Sequence, residues 1–270
     1  MRNIYYPIEA EITDIKDETP TIKTFTFKLS EPLEFKAGQF VQLTYPEYGE
    51  APFTPSSKPG KTEQLQISIL KTGRVTDALH NKAEVGDLAG IRGPFGKGYP
   101  LDKFEGHDVL VVGGGVGLAP LRSCLYSLFD SRDKFKRIVL KYGARTPYDL
   151  CFRDEYDSFK DKCELELTID KPHPDWDGRV GVVTVLLENL DLDRETTYVV
   201  SCGPEIMLKF VTKKLLDEGF KDDHIYLSMN RRMSCGMGKC ARCNIGPFYL
   251  CKDGPDMCYA QIKDLSLIHI

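Results

Sequence analysis

The apolar pattern changes rhythm once along the chain, close to residue 105. Before it, "EAEITDIKDE" (9–18), "TIKTFTFKL" (21–29), "QFVQLTYP" (39–46) and "QLQISIL" (64–70) are short runs rich in β-branched and aromatic residues. Gly/Pro signals and charge clusters separate them, so they predict strands. "RGPFGKGYPL" (92–101) then packs three glycines and two prolines into ten residues, which marks a boundary.

From Asp108 the runs become continuous. "DVLVVGG" (108–114) has the character of a strand buried on both faces. A helical stretch follows at 120–131, and then strand candidates at 137–144, 164–170 and 198–203. An amphipathic helix is predicted over 205–220 and a last strand over 224–229. Strands alternating with helices predict a parallel α/β sheet. After Met229 the pattern stops and a cysteine-rich segment begins. The expected organisation is therefore a β domain (1–104), a Rossmann-like α/β domain (105–229) and a small cysteine lobe (230–270).

Composition narrows the function classes. A chain of 270 residues has room for these units, with an ordinary 41% hydrophobic and 28% charged residues. A net charge of −4 gives a nucleic-acid partner no electrostatic support. "MRNIYYPIEA" has no apolar signal region, and the most apolar run (109–121) is too short and glycine-rich for a membrane span. Without a signal, nine cysteines imply a reducing cytoplasm and thiolates kept for ligation rather than for disulfides.

Three turns carry candidate chemistry. "VVGGGVGLAPL" ends a strand and opens a helix in the frame Gly115-x-Gly117-x-x-Pro120. Glycines let backbone N–H groups approach a phosphate, and a helix N-terminus favours its charge. Proline suits a first helical turn, where its missing N–H costs nothing. A purely structural turn is the alternative. "SCGP" puts Cys202, Gly203 and Pro204 at a second strand end facing the same crevice; Cys202 is either near a ligand or simply a small buried residue. Arg145 in "YGART" is within reach of a ribose or phosphate, or is a solvated surface arginine. In the β domain, "KTGRVTDALH" leads from Lys71 and Gly73 to Thr76, read as the N-cap of a helix. That is an anion-binding arrangement or an ordinary capped helix.

These pieces, in this order, resemble the ferredoxin–NADP reductase superfamily across essentially the whole chain. The superfamily's G-x-G-x-x-P falls on Gly115, Gly117 and Pro120, and its C-G-P on Cys202, Gly203 and Pro204. The resemblance implies a flavin-binding antiparallel β-barrel followed by an NAD(P)-binding α/β domain. The R-x-Y-S flavin motif falls on Ala51, Pro52, Phe53 and Thr54. Phe53 is implied to stack on FAD, and the Thr54 hydroxyl to face flavin N5. The flavin-holding segments extend to Ile69, Leu70 and Lys71. With alanine where the motif has arginine, the phosphate falls to backbone N–H groups of Gly73, Arg74, Val75 and Thr76, aided by Lys71 or Arg74. Cys202 is implied to sit beside the nicotinamide.

"RRMSCGMGKCARC…C.DGP" further resembles an iron–sulfur subgroup that includes the gamma subunits of soluble NiFe hydrogenases and the diaphorase-type subunit of anaerobic sulfite reductase. Cys235, Cys240, Cys243 and Cys251 follow C-x4-C-x2-C-x7-C, the plant-type spacing of a 2Fe–2S cluster with its fourth cysteine further on. Gly236 and Gly238 let the loop wrap a cluster. A four-thiolate zinc site is the alternative, but it usually pairs two knuckles and only 240–243 supplies one. Cys258 is a weaker fourth ligand, and Cys124, Cys151 and Cys163 read as structural. The expected function is a cytoplasmic electron-transfer (diaphorase) subunit. It would link NAD(P)H, through FAD and the cluster, to an iron–sulfur partner subunit. The rival is a non-catalytic docking subunit with a zinc lobe, supported by Ala51. No acidic residue closing the 137–144 strand claims a ribose hydroxyl, so NAD and NADP stay open.

Overall fold

A computed structural model of the chain describes residues 3–265. The apolar tail "SLIHI" (266–270), unexplained by the sequence, lies outside the described residues. The first unit is one antiparallel sheet of β1 (Ile8–Thr19), β2 (Ile22–Phe35), β3 (Phe40–Tyr45), β4 (Gly49–Phe53), β5 (Gly60–Leu70) and β6 (Leu88–Phe95). The strands run in the order β4-β3-β6-β1-β2-β5, every neighbour antiparallel. Alternation explains them: in β1, Ile8, Ala10 and Ile12 face inward while Glu9 and Glu11 face water. They enclose an apolar core with Phe25, Phe27, Leu43, Leu65 and Ile67 all fully buried. The hydrogen-bonded ladder stays open between β4 and β5. One helix, α1 (Arg74–Lys82), touches both of these edges. His80 Nε2 lies 2.8 Å from the Ile69 carbonyl of β5. Arg74 donates to the Glu47 carbonyl, and Lys82 to the Tyr48 hydroxyl, in the β3–β4 turn.

The second unit contains β7 (Val109–Gly114), α2 (Leu118–Asp130), β8 (Ile138–Ala144), α3 (Tyr156–Lys160), β9 (Glu164–Ile169) and β10 (Arg179–Val180). β11 (Tyr198–Cys202), α4 (Glu205–Asp217) and β12 (Ile225–Ser228) follow. Strand order is β10-β9-β8-β7-β11-β12, all parallel. Val109 and Val111 of β7 pack on the α2 side, Leu110 and Val112 on the α4 side. Burial on both faces is why this strand reads as an unbroken apolar run. The chain starts at β7, works outward through β8 to β10, and returns to pair β11 with the other edge of β7. The order reverses between β7 and β11, the topological switch point where open α/β sheets bind ligands.

The cysteine segment is not a free appendage. It forms a hairpin of β13 (Asn244–Ile245) and β14 (Phe248–Tyr249), the short α5 (Leu250–Asp253), β15 (Asp256–Cys258) and α6 (Tyr259–Ile262). β15 pairs antiparallel with β12 and becomes the seventh strand of the α/β sheet. The segment also sits on the β sheet. Gln42 donates to the Met233 carbonyl at 2.5 Å and the Lys97 amide to the Gly254 carbonyl at 2.8 Å. The two sheets meet through Arg122 of α2. It donates to the Ser56 carbonyl and the Gln66 side chain and pairs with Glu155 at 2.5 Å.

Candidate active site

The two glycine turns predicted to share a crevice come together at the switch point. Cys202 is in register with Gly113, so Gly115–Gly117 and Cys202–Pro204 are adjacent turns at the same sheet edge. They touch through backbone: a Cβ built on Gly117 would lie 2.2 Å from the Cys202 carbonyl oxygen. Gly115 has φ +54, a left-handed conformation that glycine adopts without steric cost. The Tyr142 hydroxyl fixes this turn, donating to the Gly115 carbonyl at 2.9 Å and accepting from the Cys151 amide at 3.1 Å. Pro120 occupies the third position of α2, within the first turn. Arg145 stands exposed just past the end of β8, on the same edge of the sheet. Met207 of α4 covers both turns, its sulfur 2.2 Å from a Cβ placed on Gly114 and 2.7 Å from one on Gly203.

The β-domain candidates gather at the open seam. Pro52, Phe53 and Thr54 end β4, half-buried, with Phe53 resting on the core. Ile69 is buried at the end of β5, and Leu70 packs instead on the core of the α/β unit. Thr76 is not the N-cap that its place after a glycine turn implied. The helix begins at Arg74, Gly73 is the N-cap, and Thr76 is three residues in. Its hydroxyl turns back to accept from the Thr72 and Gly73 amides at 2.9 and 2.8 Å. Glycine, lacking a side chain, leaves the capping task to that hydroxyl. The amides of Arg74, Val75 and Thr76, ahead of the Asp77 amide that donates to the Gly73 carbonyl, are helix-end donors with no intrahelical acceptor. Lys71 is tied to Asn81 and Arg74 to the Glu47 carbonyl, so both side chains are already engaged.

The four cysteines fall into two pairs. Cys243 and Cys251 lie Sγ to Sγ at 3.3 Å, brought together by the β13–β14 hairpin. Cys240 reaches Cys235 through both its amide and its thiol. The Met237 and Lys239 amides donate to Cys235 Sγ at 3.3 Å, and the Gly238 amide to Cys251 Sγ at 3.1 Å. Burial opposes ionisation of Cys235, but the amides of Met237, Cys240 and Lys239 outweigh it and lower its pKa to about 6. Gly236 and Gly238 have φ +77 and +71, and a Cβ on Gly236 would lie 2.8 Å from the Phe95 ring. The loop is thus pressed against the end of β6. Among the described residues no three His, Cys, Asp or Glu side chains close on one point to hold a single metal ion. Cys258 points elsewhere, its Sγ 3.3 Å from the Asp223 carbonyl. Cys124, Cys151 and Cys163 are buried, and burial raises all three thiols.

One group near the crevice left no trace in the sequence. Asp256 of β15 is buried, with Oδ1 accepting from the Ser228 hydroxyl at 2.5 Å. Ser228 Oγ also lies 2.5 Å from the Tyr99 hydroxyl. Oδ2 has no hydrogen-bond partner and faces Gly38, where a Cβ would lie 2.0 Å away. Cys202 faces the same cluster, and burial with the nearby Asp256 carboxyl raises its thiol to about 12. Burial raises the Asp256 carboxyl to about 7. The folded protein therefore holds this proton more tightly than the unfolded chain. The resulting stability is complete below the ordinary carboxylate range and is lost as pH rises through about 7. A tenfold gain in proton affinity is worth about 1.4 kcal/mol, which sets a ceiling of about 4 kcal/mol. Asp256→Asn is expected to remove this decline, so the pH dependences of the denaturant midpoints of wild type and variant should diverge between about pH 4 and 7 and run parallel above it. Curves parallel across that window would contradict it.

Comparison with known proteins fits this geometry. Residues 9–99 match the family described as oxidoreductase FAD-binding domain, and residues 111–213 the oxidoreductase NAD-binding domain. Sulfhydrogenase 2 subunit gamma of Pyrococcus furiosus is 37% identical, the match covering 95% of this chain and 96% of that protein. The probable dihydroorotate dehydrogenase B (NAD(+)), electron transfer subunit, of the same organism is 36% identical, covering 85% and 82%. The solved NADH-dependent reduced ferredoxin-NADP oxidoreductase superposes with a TM-score of 0.76 at 25% identity, over 96% of this chain and 93% of that one. With an antiparallel sheet for FAD, a parallel sheet for NAD and turns meeting at the switch point, the chain is an oxidoreductase of the ferredoxin–NADP reductase fold, and it belongs to the family that includes these gamma and electron-transfer subunits.

Proposed function

We propose that this chain is the diaphorase subunit of a multisubunit oxidoreductase, moving electrons between NAD(P)H and an iron–sulfur partner subunit in the cytoplasm. The observation that carries the reading is the seating of the cysteine segment. It packs on β6 beside the flavin-domain core and pairs with β12 beside the nucleotide turns, so an exit group there adjoins both units. Bound FAD supplies the exchange between a hydride's electron pair and single electrons, and a 2Fe–2S cluster the one-electron exit.

The residues present fit both groups. The open seam between β4 and β5 offers the half-buried Phe53 ring as a stacking surface and the Thr54 hydroxyl as a hydrogen-bonding partner. The helix-end amides of α1 replace the missing arginine as the phosphate seat. Pro52 and the backbone of Ile69, Leu70 and Lys71, at the ends of β4 and β5, would border the ring. Gly115, Gly117 and Pro120 take the nicotinamide nucleotide's phosphates, with Arg145 at the ribose side. Cys202, backed by Gly203 and Pro204, lies against the nicotinamide. Cys235 with Cys240, and Cys243 with Cys251, give two thiolates to each iron. Amides on the sulfurs support thiolate charge, and sulfurs held as two pairs suit a binuclear group better than one zinc ion.

The isolated chain is expected to pass electrons from NAD(P)H to viologens while lacking hydrogen or sulfur chemistry of its own. Thr54→Ala should slow flavin bleaching by NADH or NADPH about five- to tenfold in stopped flow, the loss of a hydrogen bond worth about 1 kcal/mol. Unchanged bleaching would remove Thr54 from the flavin site.

A further inference from the structure

Among the described residues, Asp256 is a buried carboxyl that no Lys, Arg or His pairs with. Its surroundings come from five places in the chain. Ser228 is the last residue of β12, and Tyr99 follows β6. Cys202 ends β11, Cys124 lies on α2, and Gly38 precedes β3. Of these, Tyr99, Cys202 and Cys124 are titratable, and burial raises each of them, so they stay neutral around pH 7. Asp256 is thus the one group of the cluster able to change charge near neutrality.

An uncompensated carboxylate in a dry pocket is costly, and its charge state responds to any other charge that arrives nearby. The pocket also has a route for a proton. Cys202 is mostly buried but reaches the crevice surface, Ser228 lies within hydrogen-bonding reach of it, and the Ser228 hydroxyl contacts Oδ1. The opposite wall is Gly38, where any side chain would collide with Oδ2. A hydroxyl relay, an orphan oxygen and a glycine wall together make a proton-binding site rather than a structural ion pair.

We propose that Asp256 is a redox-linked proton-binding site of the crevice, taking up one proton from solvent when the adjoining redox group gains negative charge and returning it when that charge leaves. This inference rests on the flavin reading above. The step balances without a partner: carboxylate plus one proton gives the carboxylic acid, no electron passes through Asp256, and no bond forms to the redox group. The uptake offsets charge that would otherwise accumulate in a low-dielectric pocket.

Redox-difference infrared spectroscopy of the anaerobic holoprotein, oxidised against dithionite-reduced at about pH 8, tests it. The expected result is a protonated-carboxyl carbonyl band that appears on reduction, shifts in D2O and is absent from Asp256→Asn. Ser228→Ala, which keeps the carboxyl, should displace the band without abolishing it. Potentiometry should agree, with proton uptake on full reduction of the flavin at about pH 8 falling by up to about one in Asp256→Asn, and by much less at about pH 6. A band that survives in Asp256→Asn, or no band in a wild type with intact flavin absorbance, overturns the proposal alone. A preparation that binds no flavin in excess FAD overturns the underlying reading, and the proposal with it.

Discussion

Cys240→Ser is expected to abolish or greatly weaken the EPR signal of the reduced protein while FAD stays bound. The four sulfurs stand as two pairs, and Cys240 belongs to the pair with Cys235. Under the proposed ligand set, removing it would leave one iron with a single protein thiolate, too few to hold a binuclear cluster firmly. The flavin seam shares no residue with the cysteine loop. Its candidates end β4 and β5 and open α1, whereas the loop leans on Phe95 and Gln42. Flavin absorbance should therefore remain near one per chain as the iron falls away. Cys258→Ser serves as the control and should retain the signal, because its sulfur faces the carbonyls of Asp222 and Asp223. If Cys258→Ser removed the signal and Cys251→Ser did not, the ligand set would be wrong.

Gly117→Ala should be the most damaging single change at the nucleotide turn. The added carbon would meet the Cys202 carbonyl oxygen at 2.2 Å, its carbon at 2.6 Å and the Gly203 Cα at 2.8 Å. All three are backbone atoms, so no side chain can rotate away, and β11 and β7 would have to part at the switch point. Overpacking of this kind costs about 1–3 kcal/mol. The distortion falls on both turns that would clasp the nucleotide, so NADH or NADPH affinity should drop at least about tenfold with FAD retained. Gly115→Ala tests a different cost. Nothing lies within 4 Å of that Cβ, but φ is +54, so about 1 kcal/mol of backbone strain is expected with a smaller loss of affinity. Calorimetric titration of both variants should rank Gly117→Ala as worse. Equal, wild-type affinity in both would take the nucleotide away from this turn.

Much of the fold can be read from period alone. The alternation of β1 and the unbroken apolar β7 are local consequences of burial on one face or two. The glycine turns are legible because close backbone approach admits only glycine. The short strands are not. β4 carries no alternating core pattern because it forms an open edge, half-buried throughout its last residues. β15 begins at the end of "KDGPDM", which reads as a turn, and three residues hold no period; only pairing with β12 makes them a strand. Thr76 reads wrongly as an N-cap because threonine after a glycine turn fits both the cap and a position three residues in, and only the helix start separates the two. Asp256 has no signal at all. Its partners Tyr99, Ser228 and Cys202 lie far apart in sequence, and its importance comes from burial rather than from a motif.

The open edges of the antiparallel ladder coincide with the proposed flavin residues. β4 and β5 are the edges that carry the flavin candidates, and α1 contacts both. Arg122 holds this seam against the α/β unit by bonding Ser56 and Gln66 from one side and Glu155 from the other. Arg122 is thus one buried tie between the β4–β5 seam and the α/β unit, alongside the Phe152 amide that donates to Glu18.

Elemental and flavin analysis of the anaerobically purified chain, read beside its visible spectrum, tests the central claim most directly. The account predicts about one FAD, about two iron and about two inorganic sulfide per chain, with absorbance from both the flavin and the cluster. Stoichiometric zinc without sulfide, and no flavin absorbance even after incubation with excess FAD, would contradict it.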